Sequence, residues 1–367
     1  MIQTAPLKRN LRILFILALT ILFVGLFLRN SDLDKVSGII RSTRLEWLAL
    51  GFACNIGALL CRTLRWRTIL NPERPPPFYA TLFANAVGYM LSTVLPIRAG
   101  DVARPALLSR RTDVKFATAL GTVLTEKILD LLAILSLFLY FVMVSSAAFS
   151  ADPRTATKFL LVKSAAVTAA VIVTAMLSFL AAMLLFSSKI RRLHEFFGRR
   201  LPARVRVGWM RFFDSFSYSL RLSRHRYALF KVLALTACIW MCLSGQFYFS
   251  LLALGHPLPF TASFFISGIT IIGLMIPTPG GVGGFHKACQ IALTNFYHFD
   301  VNSSIAVALV VHVVGITPVV LIGITLFLRE GLSWRQITKM EEAAELEMQS
   351  AAAERPEVVA VSDPNRS

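Results

Sequence analysis

Charge is what this sequence has least of. Asp, Glu, Lys and Arg make up 16% of its 367 residues, against about 25% in soluble domains. With 56% hydrophobic residues and a mean hydropathy of +0.65, that shortage excludes an ordinary soluble domain. Acidic residues are scarcer still, 20 against 38 basic ones, for a net charge of +18. In a soluble chain this excess would point to nucleic acid. Here the basic residues collect between apolar runs, as cytoplasmic loops do under the positive-inside rule, so no nucleic-acid partner is expected. Cysteines number five (Cys54, Cys61, Cys238, Cys242 and Cys289) and show neither metal-ligand spacing nor a disulfide framework. They lie mostly in apolar runs and read as small packing residues. The sequence contains no HExxH, GxSxG or P-loop motif, so no enzyme activity, metal or cofactor is expected.

What is present is a series of eight hydrophobic segments: 11–28, 45–63, 77–95, 117–146, 159–187, 231–254, 260–277 and 303–328. Several reach the roughly 20 apolar residues that a helix needs to cross a bilayer. The first follows Lys8, Arg9 and Arg12 like a signal peptide, but no small-residue cleavage site follows it; it reads as an uncleaved anchor. Between Ser187 and Lys231 stand twelve Lys and Arg against Glu195 and Asp214. This interval is expected in the cytoplasm, with an amphipathic helix on anionic headgroups.

Parity then fixes a topology. If the basic N-terminus is cytoplasmic and all eight segments cross, the basic interval falls outside. The conflict disappears if 77–95 enters from the cytoplasm, breaks at Pro96 and returns through 101–112. A cytoplasmic C-terminus, set by Arg329, Arg335 and Lys339, requires 260–277 to be re-entrant from the other side. It would break within PTPGGVGG and return through 285–297, and helix-breakers stand at both places. The expected fold is therefore an all-α polytopic membrane protein with six spanning helices and two opposed re-entrant hairpins. Its halves, 11–146 and 159–328, read alike with opposite orientation, the pattern of an inverted repeat with a site near the midplane. Residues 1–328 form this domain, with the basic interval at 188–230. Residues 329–367 are expected to be a partly disordered cytoplasmic tail.

Irregular backbone at membrane depth requires a protein-lined or watery cavity around it. In the first hairpin, Gly100 permits a sharp turn and Asp101 could cap the return helix. Arg98 and Arg104 either bind an anionic headgroup or hold Asp101 or a carboxylate of a span. Glu126 and Asp130 are four residues apart on one helix face, with Lys127 beside them. They face either an interior site with those arginines or the cytoplasmic interface. In PTPGGVGGFHK, Gly280, Gly281 and Gly283 allow backbone to approach either a ligand or a neighbouring helix. His286, Gln246 and His312 are further polar candidates. Arg62, Arg65 and Arg67 read most simply as interfacial anchors.

Three stretches, NAVGYMLSTVLPIRAGDVARPALLSRR, EKILDLLAIL and IPTPGGVGGFH, resemble the lysylphosphatidylglycerol synthase transmembrane-region family, the flippase-like domain of the multiple peptide resistance factor. The resemblance covers nearly all of 11–328. It implies a multi-pass protein of the bacterial cytoplasmic membrane that moves a polar lipid between leaflets. In the best-known member this domain is fused to a synthase that aminoacylates phosphatidylglycerol. These residues carry no counterpart of the synthase, so the lipid is expected to be made elsewhere. Where relatives commonly carry an acid after the glycines, this sequence has His286 and Lys287, which favours an anionic or zwitterionic headgroup. The expected partners are membrane lipids, and a homo-oligomer is left open. A membrane-embedded headgroup transferase and a small-solute transporter are the competing readings, followed by a purely structural role.

Overall fold

In lipid, an apolar run can satisfy its own backbone only by coiling into a helix or closing a barrel. In the computed structural model, which describes residues 18, 20–29, 31–71, 73–94, 100–185, 226–276 and 278–331, every described regular element is a helix. They are α1 (Leu33–Arg41), α2 (Leu45–Leu70), α3 (Phe78–Val94), α4 (Gly100–Ser109), α5 (Phe116–Ala151), α6 (Pro153–Leu185), α7 (Arg226–Ala253), α8 (Ala262–Leu274), α9 (Gly284–Phe296) and α10 (Val301–Arg329). Residues 20–28 are also helical.

Among the described residues, five helices are long and apolar enough to cross a membrane: α2, α5, α6 over Pro153–Ser178, α7 and α10. They match five of the six expected spans. Of the sixth, 11–28, only the C-terminal part is described. Pro96, Arg98, Pro277, most of the basic interval and the tail beyond Gly331 lie outside the described residues.

The expected helix-breaks each separate two short helices that pack on one another, α3 on α4 and α8 on α9. Both pairs are antiparallel. Gly100 sits so close to α3 that a Cβ there would fall 1.8 Å from the carbonyl oxygen of Gly88. In the second pair, a Cβ on Gly273 would fall 2.3 Å from the carbonyl oxygen of Gly284. At the tip of this pair Gly280, Gly281 and Gly283 have φ of 60°, 72° and 89°, a left-handed backbone that glycine adopts without steric cost.

The pairs are held by the long helices in a reciprocal way. Helix α2 runs antiparallel along α7, with the Arg44 amide donating to the Ala253 carbonyl at 2.9 Å and Cys61 Sγ 3.4 Å from Cys238 Sγ. Helix α3 packs on α10 and α8 on α5, while α4 leans on α5 and α9 on α10. One apolar core joins α5, α6, α8, α9 and α10, where Phe265 stacks on Phe141 at 4.9 Å. A second joins α2, α3, α4 and the end of α10 around Trp66, Phe83, Leu91 and Leu108.

Two features at the helix ends were not anticipated. The short helix α1 is capped by Asp32, which accepts from the Asp34 and Lys35 amides, and packs on α10. At the opposite end of α10, Glu330 accepts from Arg111 at 2.7 Å and from the Tyr79 hydroxyl at 3.0 Å. The Arg111 bond, followed by that of Tyr79, holds its carboxyl below the usual range.

Gly100→Ala should force α3 and α4 apart at a cost of about 1–3 kcal/mol, the usual penalty of overpacking. Gly38→Ala in α1, where nothing lies within 4 Å of a new Cβ, should be neutral or stabilising by about 0.5–1 kcal/mol. Unfolding of the two detergent-solubilised variants compares the costs directly.

Candidate functional site

The residues at the break of the first hairpin belong to two adjoining features, a charged cluster and a cavity. The cluster forms where α2, α4 and α5 meet. Arg65 of α2 donates both terminal nitrogens to Asp130 of α5, at 2.7 and 3.1 Å, and one of them also to Thr236 at 3.2 Å. Its Nη2 lies 3.6 Å from Glu126 Oε1. Arg104 of α4 donates to Glu126 Oε2 and, at 3.0 Å, to the Tyr89 hydroxyl. The Arg104 guanidinium also lies over the Trp66 and Tyr89 rings, 4.6 and 5.0 Å from their centroids. Trp240 donates to Asp130 at 3.3 Å.

Arg65, Arg104 and Glu126 are at most 2% exposed. Two positive and two negative charges therefore balance inside the bundle, which is how charges survive where water is excluded. Local packing is shaped for this: Gly88 makes room for the Arg104 stem, since a Cβ there would stand 2.0 Å from Arg104 Cγ.

Beside the cluster lies a cavity of about 830 Å³. Its wall is shared between both hairpins and the long helices. Ser92, Thr93 and Asp101 come from the first hairpin, and Thr278, Gly280 and Gly281 from the tip of the second. Asn55 and Arg62 of α2 and Gln246 of α7 close the floor. Asn55 donates to Gln246 Oε1 at 3.0 Å and to the Gly315 carbonyl at 2.9 Å, tying α2 to α7 and α10. Met275, also on the wall, is 75% exposed.

These positions divide the residues singled out in the sequence. Asp101 reaches the cavity wall from inside the first turn of α4, where it pairs with Lys127 at 3.0 Å. Lys127 follows Glu126 by about 100° around α5 and is exposed enough to reach Asp101, outside the buried cluster. Arg104, Glu126 and Asp130 come together behind the wall, in the cluster. Gly280 and Gly281 line the cavity, whereas Gly283 packs on Phe23, 2.5 Å from where its Cβ would be. His286 accepts from the Gly283 amide at 3.2 Å, so it caps its own helix. Its ring centroid lies 4.5 Å from that of His312, which does reach the wall. Arg98 lies outside the described residues.

The expectation for α2 is corrected. The helix continues to Leu70, and Arg65 is fully buried rather than anchored at an interface. Its partner Asp130 is 65 residues away in sequence, so no local pattern exposes the pair. Arg62 is not an interfacial anchor in this sense either, for it lines the cavity, 4.9 Å from the Tyr89 ring centroid.

Glu126→Leu should destabilise the protein by about 3–5 kcal/mol, because Arg104 is left buried without a counter-charge. Adding Arg104→Met should recover a large part of that loss, since the uncompensated charge goes with it. Thermal unfolding of the single and double variants tests this. A double variant that loses the sum of the Glu126→Leu and Arg104→Met losses would mean that the pair is not coupled.

No curated protein matches the chain. The family model for the lysylphosphatidylglycerol synthase TM region matches residues 12–323, and with five helices fit to cross a bilayer this identifies a multi-pass membrane protein. The chain belongs to the lysylphosphatidylglycerol synthase TM-region family.

Proposed function

We propose that this protein translocates a polar lipid between the leaflets of the bacterial cytoplasmic membrane, with both termini in the cytoplasm. The observation that carries the reading is the cavity of about 830 Å³ walled by the tips of both helical hairpins. Broken helices facing each other across a polar space inside an apolar bundle are the usual form of a midplane transport site. In this reading the hairpins are re-entrant from opposite faces. The reciprocal packing, α3 on α10 and α8 on α5 with α2 along α7, supports an inverted repeat in which each half completes the other.

The lining favours a lipid over a small solute. Polar groups such as Asn55, Gln246 and Asp101 share the wall with Leu243, Phe247, Ile271 and Ile316, which suits a headgroup attached to apolar chains. The protein acts here as a carrier and not as an enzyme: it lowers the cost of bringing a polar headgroup through hydrocarbon while the acyl chains remain in lipid.

Reconstitution into vesicles holding a trace of headgroup-labelled phospholipid tests the reading. With protein, a membrane-impermeant quencher should reach nearly all of the label instead of the outer leaflet's share alone. Quenching that stops at the outer leaflet, with the protein folded and inserted, would overturn it. Solute uptake without lipid movement would favour the transporter reading.

A further inference from the structure

Among the described residues that line the cavity, the charged ones are Arg62, Lys127 and Asp101. Lys127 and Asp101 neutralise each other at 3.0 Å. Arg62 makes no ion pair among the described residues; it rests over the Tyr89 ring, and its Nε is buried without a hydrogen-bond partner there. The carboxylates that could have met it, Glu126 and Asp130, are engaged by Arg104 and Arg65. Among the described residues the wall thus keeps one positive charge without a salt-bridge partner, on the side chain best shaped to fork onto a phosphate.

Uncharged groups around it are complementary to hydroxyls. Ser267 and Thr270 line the cavity, and their hydroxyls already donate to helix carbonyls, to Ser263 at 2.5 Å and to Ser267 at 2.9 Å. Each keeps lone pairs to accept from a ligand. A cationic headgroup fares worse. Its amine would find as carboxylate only Asp101, already matched by Lys127, and Arg62 would repel it.

From this juxtaposition we infer that Arg62 is the residue that selects the headgroup. It takes the phosphodiester of an anionic lipid whose remaining head is an uncharged polyol, and the cavity's net charge rejects an amine-bearing cationic one. The inference rests on the lipid reading above and names the class of lipid within it.

Native mass spectrometry of the full chain in detergent, offered equal amounts of phosphatidylglycerol, phosphatidylethanolamine and the cationic lysyl ester of phosphatidylglycerol, tests it. Wild-type protein should retain phosphatidylglycerol over the lysyl ester by about tenfold or more. Arg62→Gln should lose that preference and Arg62→Lys should keep part of it, both with wild-type thermal unfolding, since Arg62 ties no helix to another through an ion pair. Millimolar inorganic phosphate should not displace the lipid. Unchanged selectivity in Arg62→Gln, or a wild-type preference for the lysyl ester, would overturn the inference. So would displacement by inorganic phosphate, which would make the cavity a site for a free anion. The vesicle assay separates the two readings. Arg62-dependent lipid binding without leaflet exchange would sink translocation and leave this selectivity standing. Leaflet exchange indifferent to headgroup charge and to Arg62→Gln would do the reverse.

Discussion

The architecture depends on one electrostatic constraint: a guanidinium inside an apolar bundle must meet a carboxylate there. Water cannot solvate it, and the Born cost of an isolated charge runs to several kcal/mol even after relaxation. Arg65 and Arg104 satisfy this constraint with Asp130 and Glu126. In doing so they bring α2, α4 and α5 to one place. The first turn of α4 therefore has a fixed position beside α5, and Asp101, three residues before Arg104, is carried to the cavity wall. The four charged groups of the cluster position the site from behind its wall, where Tyr89 and Trp240 stand between them and the cavity.

That separation sets the chemistry available inside. Glu126 and Asp130 are each paired with a buried arginine behind the wall, so the charges on the cavity surface itself are the few carried by its lining. Asn55 and Gln246 add polarity without charge, and their hydrogen bonds join α2, α7 and α10 at the floor. The second hairpin contributes the backbone of Gly280 and Gly281, the hydroxyls of Ser267, Thr270 and Thr278, and apolar side chains such as Ile271, Leu274 and Phe285.

Sequence reading reached the features that depend on local signals. Hydropathy located the long helices, and the prolines and glycines near residues 96–100 and 277–284 located both breaks. Spacing of four placed Glu126 and Asp130 on one face. What it missed was non-local. Nothing in CRTLRWR distinguishes Arg65, which turns into the bundle, from Arg67, which bonds the Pro76 carbonyl nearby. Near the end of a span the default for an arginine is to snorkel, and only the position of α5 reverses it. Arg62 was missed for the same reason: the cavity it faces is assembled from helices drawn from both halves. The helix α1 escaped because it is too short and polar for a hydropathy signal, although its Asp32 cap stands plainly in NSDLD.

The glycine contacts within the hairpins have a mechanical consequence. Where Gly100 meets Gly88 and Gly273 meets Gly284, backbone lies against backbone with no side chain between. Such a joint has no rotamers to rearrange and little room to slide, so each hairpin behaves as one stiff lever. The two levers touch near their tips, where Gly280 comes up against the Thr93 carbonyl. This contact is the looser one, 3.3 Å from a would-be Cβ against 1.8 Å at Gly100 and 2.3 Å at Gly273, so a passage between the hairpins would widen at this seam while the arms stay shut.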